Sequence, residues 1–350
     1  MLSTLPPELL RDIIEATVPH SFHSLTHETR QKTLRSLSLV SQQFRAIAQS
    51  LLLEIVWLRS TRNAKVLHSG PGGGIRQERV TFVKQAVLSH GVPVLSPGES
   101  RNFKQLLSSV TALTVYSVPE ASFSLSSLKS FTRLTSLHLS FIRWKNPCTF
   151  TLPHLRSLTV YTRDLAFLSS FLDHVALPNL RNLASSDLPV DVLQQTAFHR
   201  LLPALETLCT LDSEWTDPAY ASLHAYVDKT LIISNIDNLP DLWSRRQHVP
   251  FAHLLLYGTP VINSLDDFAS CIETNPPSSL KTIYLDSSLQ NSDSVQSRLR
   301  HSVENLARVC SEKNVDIVFE RVPRNFTIDP WILPDFVRRQ KERRDRERGN

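Results

Sequence analysis

The stretches FTRLTSLHLS (residues 131–140) and LPHLRSLTVY (residues 152–161) carry the same pattern of leucines, and this pattern is the main indication of the fold. It returns in full or in part in LPNLRNLASS at 177–186, LPALETLCTL at 202–211 and SSLKTIYLDS at 278–287. Each stretch follows the pattern L-x-x-L-x-L or a degenerate form of it. Self-similarity of this kind indicates one structural unit that is used many times.

The spacing of these units can be measured from the first residue of each L-x-L pair. These marker residues are Leu113, Leu137, Leu158, Leu183, Leu208, Leu231, Leu254, Ile283 and Ile317. Successive markers are separated by 24, 21, 25, 25, 23, 23, 29 and 34 residues. Helical patterns lie between them, at 164–175, 189–202, 216–227, 264–272 and 292–310. Because strands and helices alternate, we expect adjacent strands to be parallel, with helices on one face.

The amino-terminal stretch LPPELLRDIIEATVP, residues 5–19, predicts a short helix. A proline is well suited to the first helical position, because its missing N–H would have no partner there. The apolar residues recur at helical spacing on one stripe, which holds Leu9, Leu10, Ile13 and Ile14. A helix this short is marginal alone, so the stripe must pack against the rest of the chain or against another protein.

Two more helices are predicted after a polar linker at 19–31. The second carries Leu34, Leu37 and Val40 as its apolar positions. Ser41 is a suitable N-cap for the third, whose apolar positions are Phe44, Ile47, Ala48 and Leu51. The following LLLEIVWL at 51–58 alternates around Glu54 and predicts a strand.

The segments LPPELLRDII, LRSLSLVSQQFRAIA and LLLEIVWL together resemble an F-box, in particular the F-box-like segment at the start of many fungal proteins. The resemblance covers residues 4–58, although the linker at 19–31 is longer than usual. It implies a small helical module that docks on the adaptor subunit of a cullin-RING (SCF-type) ubiquitin ligase. On this resemblance the docking surface is formed by Leu5, Pro6, Pro7, Leu9, Leu10 and Ile13. The alternative is that the whole stripe serves the module's own core and that the module only caps the rest of the chain.

Residues 105–320 resemble the leucine-rich-repeat family, without the asparagine or cysteine expected five residues after each marker. The expected fold class is therefore α/β: a three-helix F-box-like module, followed by an irregular leucine-rich-repeat solenoid with parallel strands on its concave face and helices outside. The expected organisation is 1–58 module and first strand, 59–104 connecting segment, 105–320 solenoid and 321–350 tail. A doubly wound nucleotide-binding sheet is the competing interpretation, but GPGGG at 70–74 lacks the required strand and helix context and predicts a loop.

Candidate substrate-binding residues can be assigned from strand geometry. Successive side chains on a strand point to opposite faces, so the residues between the leucines should line the concave face. Aromatic and polar side chains there suit protein recognition. The candidates are His138, Tyr161, His253, Tyr257, Tyr284 and Asp286. The alternative is that later helices or the tail cover this face.

Little in the sequence points to catalysis, a cofactor or a metal. His20, His23 and His27 fall in the polar linker without a supporting cysteine or carboxylate, which favours a loop cluster. The four cysteines are far apart and predict free thiols in a reducing compartment. Apolar runs are too short for a membrane span, so we expect a cytoplasmic or nuclear protein. The stretch 338–348 has seven basic and three acidic residues and so supplies four of the five net positive charges.

These observations leave three hypotheses. In the first, the chain is a non-enzymatic substrate-recognition subunit of a ubiquitin ligase. In the second, it is a leucine-rich interaction scaffold whose F-box-like unit is only a structural cap. In the third, which the near-neutral body of the chain disfavours, the basic tail binds nucleic acid.

Overall fold

The computed structural model describes residues 5–18, 24–58, 83–88, 108–116, 125–140, 148–162, 164–185, 188, 190–210, 230–233, 253–256, 262–274, 280–286 and 297–320. The fold is mixed α/β with a mostly parallel arrangement of strands, as predicted. Two compact units divide the chain, Met1–His154 and Leu155–Asn350. Several predictions lie outside the described residues: the GPGGG loop, the helix at 216–227, and the basic tail.

The first unit begins with the helices α1 (Pro7–Thr17), α2 (Ser24–Leu37) and α3 (Gln42–Glu54). Pro7 occupies the start of α1, and the N–H of Leu10 donates to the Pro6 carbonyl at 3.1 Å, which closes the first turn. The linker predicted at 19–31 is wrong, because α2 already begins at Ser24. Among the described side chains of α2, the buried ones are Arg30 and Leu34. Since only Leu34 of these two is apolar, the start of α2 carries no apolar periodicity that would predict a helix from the sequence.

These three helices, called here the helical module, share one core. The Ser41 side chain caps α3 as predicted, accepting a hydrogen bond from the Phe44 N–H at 3.2 Å. The strand predicted over 51–58 is wrong in its first half, since α3 continues to Glu54. Ala48 and Leu51 keep helical spacing on the buried face of α3, so packing favours the helix there. The core consists of Leu10, Ile14, Val18, Leu34, Ala48 and Leu51.

Four parallel strands follow in the first unit. They are β1 (Ile55–Leu58), β2 (Gln85–Leu88), β3 (Ala112–Tyr116) and β4 (Ser136–Ser140), paired in chain order. In their register the buried residues Val56, Ala86, Leu113 and Leu137 stand side by side. Strand β2 was not predicted, because QAVL carries no L-x-L pair. A 3₁₀ helix (Leu125–Ser130) precedes β4, and a two-residue strand β5 (Phe150–Thr151) follows it.

The second unit repeats the parallel pairing over seven strands. In sheet order these are β6 (Ser157–Tyr161), β8 (Asn182–Ser185), β9 (Thr207–Thr210), β10 (Thr230–Ile233), β11 (His253–Leu256), β12 (Thr282–Asp286) and β13 (Asp316–Glu320); β7 is the short Val175–Ala176. The predicted markers are direct neighbours in this register, in the order Leu158, Leu183, Leu208, Leu231, Leu254, Ile283 and Ile317. The leucine spacing therefore identified the sheet register correctly.

Helices lie between these strands, as the sequence predicts. They are α4 (Leu165–His174), α5 (Val190–Gln194), α6 (Thr196–Leu201), α7 (Ile262–Thr274) and α8 (Ser297–Glu312). The single helix predicted at 189–202 is two short helices, followed by a 3₁₀ turn (Leu202–Ala204). Asn314 ends α8 with φ 57°, a left-handed conformation that asparagine tolerates, and the Val315 N–H returns to the Cys310 carbonyl at 2.8 Å.

Candidate functional site

The exposed large apolar side chains of the described residues are concentrated in the helical module. The exposed fractions are 52% for Leu9, 46% for Ile13, 79% for Leu39 and 64% for Val40. Among the described residues these four are the exposed large hydrophobic side chains. Single exposed leucines are ordinary on a protein surface. A concentration of four within one small helical unit marks a candidate site of protein interaction.

The stripe of α1 divides into a buried half and an exposed half. Leu10 and Ile14 are buried in the module core, whereas Leu9 and Ile13 face outward. Leu10 was predicted to be a docking residue, and its complete burial shows that it serves the core instead.

The other predicted docking residues lie at or near the start of α1. Pro6 and Pro7 are exposed and Leu5 is half-buried. Together with Leu9 and Ile13 they form an apolar edge along α1 that is exposed or half-buried in the described part of the chain. Leu9 and Ile13 are four residues apart, so their side chains are neighbours on one helix face.

Charged side chains fix α1 against α3 and the start of β2. The Arg11 guanidinium pairs with Glu15 at 2.6 Å and lies 3.8 Å from the Glu54 carboxylate. Glu54 also pairs with the Lys84 ammonium at 2.5 Å, and its carbonyl accepts the Lys84 N–H at 2.9 Å. Burial lowers the pKa of Arg30, while Glu54 and Glu15 oppose that change. Of these contacts the one between Arg11 and Glu54 joins α1 to α3, and the burial of Leu10 and Ile14 in the module core holds α1 in place.

The turn between α2 and α3 was missed as a site by sequence reasoning. Val40 was assigned to the second helix, but α2 ends at Leu37, and both Leu39 and Val40 project from the turn. An apolar residue just before an N-cap usually packs on the fourth residue of the helix. That residue is Arg45, so the partner needed to bury Val40 is missing. The arginine at the fourth position of α3 was therefore the feature of the sequence from which the exposure of Val40 could have been predicted.

Three rings lie on the face of the first sheet opposite the markers, and the ring of His27 from α2 packs against the first of them. The His27 and Trp57 ring centroids are 5.3 Å apart, Trp57 and Tyr116 6.4 Å, and Tyr116 and His138 5.5 Å. Trp57 and Tyr116 are half-buried, and their rings are nearly parallel, at 16°. His138, predicted to bind substrate, is buried at 1% exposure. Burial lowers its pKa to about 3, so the imidazole is neutral.

The second unit shows a similar burial of the predicted binding face. Tyr284 is buried at 1% exposure, and its ring centroid lies 6.4 Å from that of the half-buried His253. Tyr161 is also half-buried. Tyr257 lies outside the described residues, and for Asp286 the structure describes the backbone position in β12.

The expectation of accessible side chains therefore needs correction at His138 and Tyr284. A partner would not reach either side chain in this conformation. The physical reason is that parallel sheets are usually covered on both faces, so alternation along a strand assigns a face without exposing it. Tyr161 and His253 keep partial access.

Other candidate chemistry is sparse. His27 lies in α2 against Trp57, and His20 and His23 lie outside the described residues. In the described ranges no group of three or more His, Cys, Asp or Glu side chains could hold a metal ion. Cys148, Cys271 and Cys310 are free thiols, and burial raises the pKa of Cys310 to about 12. None of the described helices is long and apolar enough to cross a membrane.

Comparison with known proteins adds no family to this picture. No protein-family model matches the chain, and no curated protein matches it.

Proposed function

We propose that the chain is the substrate-recognition subunit of a cullin-RING ubiquitin ligase, with the helical module as an F-box-like unit that docks on the adaptor subunit. The observation that carries the proposal is the division of α1. Leu10 and Ile14 hold the helix in its core, and Leu9 and Ile13 remain exposed beside Pro6 and Pro7. A unit that only capped the sheet would have no need of this exposed apolar edge.

The energetics are compatible with docking through this edge. Full burial of an aliphatic side chain of this size contributes ~1.5 to 3 kcal/mol, and Leu9 and Ile13 have about half of their surface left to bury. Ordering a flexible segment would offset part of that gain. Here the helix is already packed into the module core through Leu10 and Ile14, and Arg11 lies 3.8 Å from Glu54 of α3. Rigid presentation lowers the ordering cost of binding.

The remainder of the chain would present the substrate. Within this proposal the marker leucines form the core row of an irregular leucine-rich-repeat solenoid, and the partner contacts the opposite face of the strands only where its side chains keep partial access. Tyr161 and His253 would contact the substrate, as would Tyr257 and Asp286. Buried His138 and Tyr284 would support this surface from beneath.

The chain would make no covalent bond itself. Its contribution is proximity, since it would hold an acceptor lysine of the substrate within reach of a separately bound conjugating enzyme. A cytoplasmic or nuclear location, where the ligase machinery operates, belongs to the same proposal.

One observation favours the second candidate, an interaction scaffold in which the module is a cap. α3 runs directly into β1, and Glu54 joins the start of β2 through both its side chain and its carbonyl. This continuity suits a cap that closes the edge of a sheet. The two candidates differ in one respect: a cap has no use for adaptor binding.

Co-purification of the full-length chain with the purified adaptor subunit separates the candidates. We expect the unmodified chain to retain the adaptor and Leu9→Asp to lose it, because a carboxylate would be buried in an apolar contact. Gln49→Asp is the matched control, since Gln49 is exposed on α3 outside the apolar edge. Failure of the unmodified chain to retain the adaptor would refute the ligase proposal.

A further inference from the structure

We propose that the outer edge of β13, the side that faces away from β12, binds a partner protein by strand addition. The segment that fits is extended, apolar at its centre and basic at both ends. The inference rests on the proposed function in one respect, since such a partner would be a substrate, and the binding itself requires neither the adaptor nor α1. In strand addition the backbone of the sheet edge gives affinity and the neighbouring side chains give specificity.

Burial distinguishes β13 from the strand beside it. β13 is last in the sheet order, and among the described strands it pairs with β12 alone. Residues 283–285 of β12 are at most 1% exposed, whereas residues 317–319, their neighbours in the register, are half-buried. Because successive residues point to opposite faces, this difference holds on both faces of the sheet. In the described part of the chain β13 is therefore only partly covered along its outer edge.

The backbone of β13 presents two residues at this edge. The Asp316 N–H donates at 2.9 Å to the carbonyl of Lys281, the residue before β12. In a parallel ladder alternate residues of a strand turn both backbone groups to the same neighbour, so Asp316 and Val318 face β12. The N–H and C=O groups of Ile317 and Phe319 then point to the outer edge. An added strand would continue the ladder through hydrogen bonds to these two residues.

A second copy of the chain is a poor occupant of this edge. β13 reads DIVFE, with an acidic residue at each end of three apolar residues. Antiparallel pairing of two copies in full register places Asp316 opposite Glu320, and parallel pairing places each acidic residue beside its equivalent. Like charges directly opposite each other destabilise a pair of strands. Charged residues on edge strands commonly prevent self-association of this kind.

The same residues define the chemistry of a partner segment. Basic residues opposite Asp316 and Glu320 would turn the like-charge contacts into opposite-charge pairs, which stabilise paired strands. Ile317 and Phe319 lie on the marker face, so apolar residues opposite them would extend the buried layer. Because β13 is acidic at both ends, a segment that is basic at both ends fits in either chain direction. This pattern also gives complementary potentials along the edge.

The chain's own tail at 321–350 fits this pattern less well than a separate partner does. Matching both acidic residues of β13 requires two basic residues four positions apart. In the tail this spacing occurs at Arg339 and Arg343 and at Arg344 and Arg348. The residues that they enclose are QKE and DRE, which contain no apolar side chain. The sequence therefore favours an occupant from another protein.

The test uses amide hydrogen exchange of the full-length chain, followed residue by residue by NMR, with synthetic peptide probes. The main probe is acetyl-KVTVK-amide, whose lysines and valines match the pattern of β13. In the unliganded chain the Val318 N–H should be protected by β12, and the N–H groups of Ile317 and Phe319 should exchange much faster. The probe should slow exchange at both of these residues about 10-fold when its concentration is about ten times its dissociation constant.

Backbone methylation of the probe separates strand addition from simple charge attraction. One probe is N-methylated at both valines, which blocks the hydrogen bonds of an antiparallel added strand. Another is N-methylated at the threonine, which blocks those of a parallel added strand. One of the two should bind about 10-fold more weakly than the unmethylated probe, or worse. Equal binding by all three probes would refute strand addition, and this comparison needs no variant of the chain.

A charge variant tests the specificity for basic ends. The unmodified chain should bind acetyl-EVTVE-amide more weakly than acetyl-KVTVK-amide. Asp316→Lys should shift this preference towards the acidic probe by up to about 5-fold, which corresponds to one cross-strand charge pair. Asp267→Lys, which changes an exposed acidic residue on α7, is the matched control and should keep the preference of the parent. Asp316 is also exposed, so both variants should keep the thermal transition of the parent.

Other results would overturn the inference. If no probe slows exchange at Ile317 and Phe319, the edge does not accept a strand. If both N–H groups are protected in the unliganded chain, the edge is occupied by the chain itself, or by a second copy where the protection rises with protein concentration. Equal binding of the acidic and basic probes would refute the requirement for basic ends. The adaptor takes no part in these measurements, so their failure leaves the ligase proposal standing. A chain that binds the probe and not the adaptor would lose the description of the partner as a substrate and keep the strand-binding edge.

Discussion

Truncation of Leu10 to alanine should cost much more stability than truncation of Leu9, although the two residues are adjacent in α1. Leu10 is fully buried against Ile14, Leu34 and Leu51. Leu10→Ala removes its contacts and leaves a cavity, which costs about 2–5 kcal/mol of stability. Leu9 is 52% exposed, so Leu9→Ala forfeits only about half of a full leucine burial, ~1 kcal/mol.

The difference is best measured locally, because a chain with two compact units need not unfold in a single transition. Native-state hydrogen exchange followed by mass spectrometry reports the opening free energy of peptides from α2 and α3, which share the core with Leu10. We expect a loss of opening free energy in Leu10→Ala that is about 1–4 kcal/mol larger than in Leu9→Ala, by the same cavity and transfer arithmetic. Equal losses in the two variants would refute the division of α1 into a core half and a docking half.

Two further predictions concern buried charge in the first unit. Glu54→Gln removes the carboxylate that faces Lys84, Arg11 and buried Arg30, and it should cost about 2–3 kcal/mol of stability by the same exchange measurement. Lys84→Met should cost only ~0–1 kcal/mol, because the Lys84 side chain is 61% exposed. Equal costs would contradict the inference that Glu54 interacts with several basic side chains at once. Burial lowers the pKa of His138 from 6.5 to about 3. Between these two pH values the unfolded chain binds a proton at this histidine that the folded chain does not bind. The stability of the folded chain should therefore fall as the pH decreases from 6.5 towards 3, by up to about 1.4 kcal/mol per pH unit. Denaturant titrations across this pH range should show a shallower dependence of the unfolding free energy on pH in His138→Gln. The exposed control His301→Gln should keep the pH dependence of the parent. An unchanged pH dependence in both variants would show that His138 does not cause the effect.

The sheet register was the most predictable part of the fold. A leucine on the buried face of one parallel strand must stand beside its equivalent on the next, so the spacing of L-x-L pairs fixes the pairing of Leu183 with Leu208 and of Leu254 with Ile283. The same logic fails for β2, whose four residues carry too little pattern. Local capping chemistry was equally readable, as Ser41 shows.

Boundaries and coverage were not predictable from periodicity. LLLEIVWL suits a helix and a strand alike, and the packing of Leu51 in the module core decides that the helix continues to Glu54. The sequence assigned His138 and Tyr284 to the sheet face opposite the markers, yet it carried no information on what lies over that face. Burial is a tertiary property, so the accessible part of the candidate binding surface had to come from the structure.

The candidate docking surface was predicted in part. Helical spacing placed Leu9, Leu10, Ile13 and Ile14 on one stripe, but a stripe alone does not show which side chains a partner could reach. The turn with Leu39 and Val40 was overlooked because Val40 continues the apolar spacing of α2 beyond its true end at Leu37. Arg45 at the fourth position of α3 was the clue that Val40 would stay uncovered.

Photocrosslinking can show whether the exposed edge of α1 contacts the adaptor. A photoreactive amino acid is placed at position 9 of the full-length chain, and a second sample carries it at the exposed control position Gln49. Irradiation with the purified adaptor should give a covalent adaptor adduct from position 9 and none from position 49. Crosslinks from position 9 only to other segments of the same chain, with no adaptor adduct, would contradict the claim that this edge of α1 is a docking surface.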